Sequence, residues 1–253
     1  MSRGITLKSR QEIQIMREAN LIVAETLDLL REMVRPGLST LDLDRKAEEY
    51  ARSKGAVPAF KGYRGFPGSI CASLNEQVVH GIPSARTMLR EGDIISIDFG
   101  VKFEGFYGDA AITVPVGCIS PENEKLIRIT RESLEQAITQ VRVGNRINDI
   151  SRAVQQHVEQ NGFSVVRQFV GHGIGSQLHE PPEIPNYHRN ERTPRLVAGM
   201  ALAIEPMVNA GAYEVKVLSD GWTVVTTDRQ PSAHFEHTVL VTDDEPEVLS
   251  RVR

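Results

Sequence analysis

Apolar residues recur at helical spacing after Ser9: Ile13, Met16, Val23, Leu27 and Leu30 fall on one face of a 3.6-residue period. Ser9 with Glu12 three positions on is a capping-box signature, so the helix starts there and stops before Pro36-Gly37. A second helix is expected from Ser39 or Thr40 to Gly55. A third starts at Ser120-Pro121, with proline at the first helical position, and runs to about Val141. A fourth is expected from near Asn148 to Gly162. The period changes to two in SIDFGVKFEGFYGDAAIT, residues 96–113, where apolar and small or polar positions alternate on both sides of Glu104-Gly105. Such alternation predicts a hairpin of two half-buried strands. Further strands are expected near Ile70 and over residues 165–170, 200–205, 222–226 and 235–242.

With Glu104-Gly105 as a two-residue turn, Ile95 faces Val114, Ile97 faces Ile112 and Phe99 faces Ala110, so one face of the hairpin is wholly apolar. The other face carries Ser96, Asp98, Gly100, Asp109, Ala111 and Thr113. Asp109 lies opposite Gly100 and diagonal to Asp98, and diagonal neighbours are roughly 7–8 Å apart, so the two carboxylates converge. A one-residue slip would separate them, but it would also break the apolar pairing. Like charges this close repel unless they share a proton or hold a cation. Two solvated turn acids are the plainer alternative, and the small neighbours speak against it.

The order of elements, two helices then strands, occurs twice. A shift of 107 residues sets VRPGLSTLDLDRKAEEYARSKG at 34–55 against VRVGNRINDISRAVQQHVEQNG at 141–162, and GDIISID at 92–98 against GMALAIE at 199–205, so that Asp98 falls on Glu205. The chain reads as a single α/β domain, residues 1–253, of two related halves at about 9–116 and 120–242. A curved antiparallel sheet is backed by helices, and a site lies where the halves meet.

Composition alters this picture little. The 253 residues are 40% hydrophobic and 25% charged with a net charge of −4, which argues against nucleic-acid binding through bulk basicity. MSRGITLKSR lacks the apolar core of a signal peptide, and no run approaches the roughly 18 apolar residues of a membrane span. A cytoplasmic, monomeric protein without membrane partners is expected. Cys71 and Cys118 make neither a disulfide framework nor a thiolate metal site; Cys71 either lines a pocket or is an ordinary core thiol.

If Asp98 and Asp109 are half of a site, the second half of the chain should supply the rest. Glu205 ends MALAIEP in phase with Ala201 and Ala203, and Pro206 keeps it extended. Glu236 sits in SAHFEHTVLVT in phase with His234 and Thr238, and GHGIG holds His172 where missing side chains leave room for an approach. Alone, Glu236 reads as a surface strand acid and His172 as a satisfied core histidine. Together, two Asp, two Glu and one His suit two divalent ions roughly 3.5–4 Å apart. The oxygen-rich set favours manganese, cobalt or iron over a thiolate-seeking metal. No G-x-S-x-G elbow or nucleophilic-cysteine signature competes.

NEQVVHGIP at 75–83, DFGVKFEGFYGDAA at 98–111, GHGIG and HEPP within 171–182, IEPM at 204–207 and FEHTVLVT at 235–242 together resemble type I methionine aminopeptidase over nearly the whole chain. The resemblance implies the pita-bread fold of two pseudo-symmetric halves, and removal of the initiator methionine from nascent proteins and peptides before a small second residue. It implies two divalent ions (cobalt, manganese, iron or zinc). Asp98 would bind one, Asp109 and Glu236 both, and His172 with Glu205 the other. His80 would position the substrate's N-terminal end. His179 would hydrogen-bond the scissile amide, and Glu205 would also shuttle a proton from water to the leaving amine. Phe60, Tyr63, Phe66, Cys71, His80, Leu178 and Trp222 would form the methionine pocket, where thioether and aromatic groups attract one another.

Leu178 stands where the family usually has an aromatic residue. Weak ribosome association through lysine-rich loops is also implied, but NAGAYEVKVLSDGWTVVTTDRQ offers only Lys216 and Arg229 against Glu214, Asp220 and Asp228. A prolidase or aminopeptidase P acting on Xaa-Pro bonds shares the fold but usually carries an additional N-terminal domain. An inactive peptide-binding module would have lost ligands that are all present here. A phosphate-directed dinuclear hydrolase would want arginine or lysine beside the metals, and the motifs hold none.

Overall fold

The structure, a computed structural model, describes residues 4–252. Four helices form where capping signals demand them: α1 Arg10–Met33, α2 Thr40–Ser53, α3 Pro121–Thr139 and α4 Ile147–Gln160. The α1 capping box is complete, the Ser9 hydroxyl accepting from Glu12 N at 3.3 Å and the Glu12 carboxylate from Ser9 N at 2.6 Å. Asp42 and Asp149 close the starts of α2 and α4 in the same way, accepting from Ser39 N and Arg146 N.

The helices back a nine-stranded antiparallel sheet: β1 Val57–Pro58, β2 Ile70–Leu74, β3 Ile94–Phe103, β4 Phe106–Pro115, β5 Gly171–Gly173, β6 Glu180–Ile184, β7 Ala201–Ile204, β8 Glu236–Leu240 and β9 Glu247–Val248. Its order is β1-β3-β4-β8-β7-β5-β6, with β2 pairing β3 and β9 pairing β8. The β3–β4 hairpin has the register expected from alternation, from Ile94 opposite Pro115 to Phe103 opposite Phe106. Glu104 and Gly105 have φ of 47° and 90°, the left-handed pair that a tight hairpin turn requires. The apolar face of the hairpin, with Ile95, Ile97 and Phe99 fully buried, packs in one cluster with Val23, Leu27 and Leu43 of α1 and α2.

The halves are related in backbone detail. Gly37 N donates to Leu89 O, Leu89 N to Leu38 O and Thr40 N to Thr87 O. The same three bonds recur 107 residues later, from Gly144 to Leu196, Leu196 to Asn145 and Ile147 to Pro194. Asp98 on β3 thus corresponds to Glu205, one residue past the end of β7.

The strand expected over 165–170 is a correction. Only Ser164–Val165 is strand, in a small sheet with Met207–Asn209 and Ser232–His234. Val166 still donates its N–H to Met207 O, but Arg167 then leaves the sheet to lie 4.2 Å over the Tyr213 ring. The strands expected at 200–205, 222–226 and 235–242 are present but shorter, as Ala201–Ile204, Val224–Thr226 and Glu236–Leu240. A third sheet joins Val224–Thr226 to Gln77–Val79 and Val215–Val217. Among the described residues no helix is long and apolar enough to cross a membrane.

Candidate metal centre

Register places the acids in rows. Directly paired residues in a sheet point to the same face. Cys71 pairs with Asp98, Asp98 with Ala111 and Ala111 with Glu236, which makes one row running across β2, β3, β4 and β8. The next row begins with Gly100 paired to Asp109. The Thr238 hydroxyl donates to the Asp109 carbonyl at 2.8 Å, and Thr238 pairs with Ala203, which pairs with His172. Glycine, alanine and threonine separate the charged positions, leaving open space above the sheet. Asp109, His172 and Glu236 present ligand atoms all within 4.8 Å of one another. Glu205 joins them, its Oε1 lying 3.6 Å from His172 Nε2.

The electrostatics of this floor are unfavourable as they stand. Asp109 is 4% and Glu236 3% exposed, and among the described residues no lysine or arginine pairs with either, or with Asp98 or Glu205. Asp98 Oδ1, Asp109 Oδ1 and Glu236 Oε1 are buried without a hydrogen-bond partner. Burial pushes the Asp98 carboxyl up to about 7. It raises Asp109, Glu205 and Glu236 well above the usual carboxylate range, and the acids' mutual repulsion adds to the rise. Burial also pushes the His172 imidazole down to about 3, so it is neutral. His172 Nδ1 donates to the Gly173 carbonyl at 2.9 Å, which leaves the Nε2 lone pair turned toward the acids. Orphaned buried carboxylate oxygens beside a correctly oriented neutral imidazole are the donor set of a divalent metal site, and these residues fit one.

The floor opens into a cavity of about 290 Å³. Every residue singled out from the sequence lines it: the four acids and His172, together with Phe60, Tyr63, Phe66, Cys71, His80, Leu178, His179 and Trp222. Phe66 meets Trp222 edge-on at 5.1 Å, and His80 lies edge-on to Phe169 at 5.6 Å and to Trp222 at 6.2 Å. The Tyr63 hydroxyl is 2.9 Å from His179 Nδ1, and the His179 ring is 4.3 Å from that of His172. Cys71 is both things the sequence allowed, a buried thiol and a wall of the cavity. A larger hollow of about 670 Å³ lies on the helix side of the sheet, lined by Arg31, Arg131, Leu134 and His237, and holds none of these groups.

Three residues near the site carry no functional signal in the sequence. Phe169 falls within the strand expected over residues 165–170. Arg64 carries no signal beyond its place in the glycine-rich segment Gly62–Gly65. In the sequence His234 shows only its phase with Glu236. Its Nε2 is buried, unpartnered and 3.7 Å from Glu205 Oε2. Burial, then the nearby His80, push it down to about 3.

The profile of metallopeptidase family M24 matches residues 14–243. A methionine aminopeptidase of Clostridium perfringens is 57% identical over 249 residues, covering 98% of this chain and 100% of that protein. The crystal structure of methionine aminopeptidase from Thermotoga maritima superposes with a TM-score of 0.96 at 44% identity, covering 98% of this chain and 100% of the other. Prolidase from Pyrococcus furiosus shares the fold, with a TM-score of 0.78 at 21% identity, and 66% of its length is covered. A two-halved sheet with its acids on one face, matched end to end by such relatives, places this chain in metallopeptidase family M24, among the methionine aminopeptidases.

Proposed function

We propose that this chain removes the N-terminal methionine from peptides and nascent proteins whose second residue is small. The single observation that carries the reading is the cavity itself: four carboxylates with no lysine or arginine partner among the described residues, three of them with an orphaned buried oxygen, and a neutral His172 form its floor, and aromatic rings with Leu178 and Cys71 form its wall. The floor suits a metal-assisted hydrolysis, and the wall suits a thioether side chain.

Asp98, Asp109, His172, Glu205 and Glu236 would hold two divalent cations, whose combined charge matches that of four ionised carboxylates. Asp98 stands at one side on β3, Glu205 and His172 at the other, and Asp109 and Glu236 between them, where each would serve both ions. The chemistry such cations supply when bound is Lewis acidity, which makes water nucleophilic near neutral pH and polarises a carbonyl. Glu205 accepts the proton of the attacking water and returns it to the amine nitrogen that leaves as the C–N bond breaks. His179 is neutral, because the protein packed around it and then the Arg64 charge lower its proton affinity. With Nδ1 accepting from the Tyr63 hydroxyl, its Nε2–H is free to donate to the scissile amide. His80, pushed down to about 4 by burial, also stays neutral and orients the substrate's amino end by hydrogen bonding rather than by repulsion.

The two halves act as one monomeric catalytic domain in the cytoplasm. The nature of the metal, whether cobalt, manganese, iron or zinc, is set by supply as well as by ligands. The test is a panel of Met-Ala, Met-Lys, Ala-Pro and other Xaa-Pro peptides, given to chelator-stripped protein and to protein reconstituted with each metal. Turnover of Met-Ala only after metal return is expected. Cleavage of Xaa-Pro without Met-Ala would overturn the reading.

A further inference from the structure

Arg64 stands at the cavity mouth in a turn built from the cavity's own wall. Gly62 N donates to Phe66 O at 2.8 Å and Tyr63 N to Phe60 O at 2.9 Å, so the aromatic residues that line the pocket also hold this loop. Within it Arg64 has a φ of 49°, the left-handed region that glycine enters freely and a long side chain does not. A strained non-glycine residue at a site calls for a reason in its side chain. The guanidinium lies 5.4 Å over the Tyr63 ring, whose hydroxyl meets His179. Among the described residues it has no carboxylate partner, whereas the neighbouring Lys61 is paired with Glu48 at 2.6 Å.

The charges of the cavity are therefore segregated. The acids are on the floor, and the Arg64 cation is at the mouth. With the floor neutralised by bound metal, Arg64 is the net charge that an entering peptide meets. A peptide with its amino end at the floor and its scissile amide at His179 continues outward past Tyr63 and Arg64.

We propose that Arg64 is a specificity-determining residue that pairs with carboxylates on the departing part of the peptide, just beyond the small second residue, and disfavours lysine there. This rests on the aminopeptidase reading above.

The test compares Met-Ala-Glu-Ala-Ser, Met-Ala-Gln-Ala-Ser and Met-Ala-Lys-Ala-Ser, and the same series with the charge moved one residue on. The metal-loaded enzymes are the unmodified protein, Arg64→Lys, Arg64→Asn and Arg64→Glu. Asparagine tolerates the left-handed backbone, so the neutral variant keeps the loop. Exchanging an exposed attraction for a repulsion should give a Glu-to-Lys ratio in kcat/KM of roughly 2- to 25-fold. The ratio should persist in Arg64→Lys, flatten in Arg64→Asn, invert in Arg64→Glu and shrink toward one at about 1 M salt. A ratio unchanged by the substitutions, or an equal loss on all peptides, overturns the proposal. Failure of the unmodified enzyme on every methionyl peptide would instead bring down the aminopeptidase reading, and this inference with it.

Discussion

Tyr63 and His179 come from opposite halves of the chain, yet the Tyr63 hydroxyl lies 2.9 Å from His179 Nδ1. The contact holds the His179 ring in place, and with the hydroxyl donating it leaves Nε2 carrying the proton. Tyr63→Phe removes one neutral hydrogen bond, about 0.5–1.5 kcal/mol, and should lower kcat by about 2- to 13-fold. His179→Ala removes the donor itself and should cost about 10²- to 10³-fold. Steady-state kinetics on Met-Ala peptides separates the two. Equal losses would show that Tyr63 does more than orient its neighbour.

Asp109→Asn and Glu236→Gln should act in opposite directions on the stripped and the loaded protein. Each replaces a buried carboxylate, one oxygen of which has no hydrogen-bond partner, with a neutral group of the same shape. Without metal, the melting temperature should rise, since the folded state no longer has to hold a proton that the unfolded chain gives up. With metal, the rise in melting temperature that the unmodified protein gains should be lost together with activity. Calorimetry of both forms, with metal content measured in parallel, decides the matter. A variant that still gains stability from metal would exclude that carboxylate as a ligand.

Stability of the stripped protein should fall as pH rises. The sign follows from Asp98, whose folded value is pushed up to about 7 against about 3.9 in an unfolded chain. Between those values the folded state holds a proton that the unfolded state has lost, so its contribution is complete below the unfolded value and gone above the folded one. Asp109, Glu205 and Glu236 shift in the same direction and prolong the fall. Melting curves from about pH 5 to about pH 8 should slope down without metal and lose that slope with it. A stripped protein whose melting temperature is flat over this range would contradict the charged floor.

The hairpin was legible because one side-chain period and one two-residue turn leave a single register that buries the apolar face. Capping boxes made the helix starts legible for an equally local reason. Residues 165–170 misled, because Val165 and Val166 are buried in a small sheet while Phe169 turns toward the cavity for a different purpose. Three-residue strands such as Ser232–His234 are too short to show a period, so His234 could not be placed against Glu205. Arg64 was invisible since its meaning lies in a backbone angle and a missing partner, neither of which a sequence displays. The residues proposed to hold metal are legible from the hairpin register, the repeat offset and the resemblance together; register alone supplies two of them.

Lys8 and Glu180 form the most buried lysine–carboxylate pair of the fold's described residues, 2.6 Å apart with side chains 2% and 8% exposed. Lys8 lies ahead of α1, which packs on the first half, while its own N–H donates to Gly199 O and its ammonium reaches Glu180 in the second. Glu180 in turn accepts from Gln177 N, closing the short loop that presents Leu178 and His179 to the cavity. The end of the Lys8 side chain lies against Gly175, where a Cβ would displace it from Glu180. Lys8→Met leaves the Glu180 carboxylate buried without its cation and should destabilise the protein by about 3–5 kcal/mol. Adding Glu180→Gln removes the orphaned charge, so the double variant should recover most of that loss. Urea unfolding of the two single variants and the double supplies the coupling energy. Additive losses would mean that the strap is held by Gly199 and the packing around it, with the ion pair contributing little.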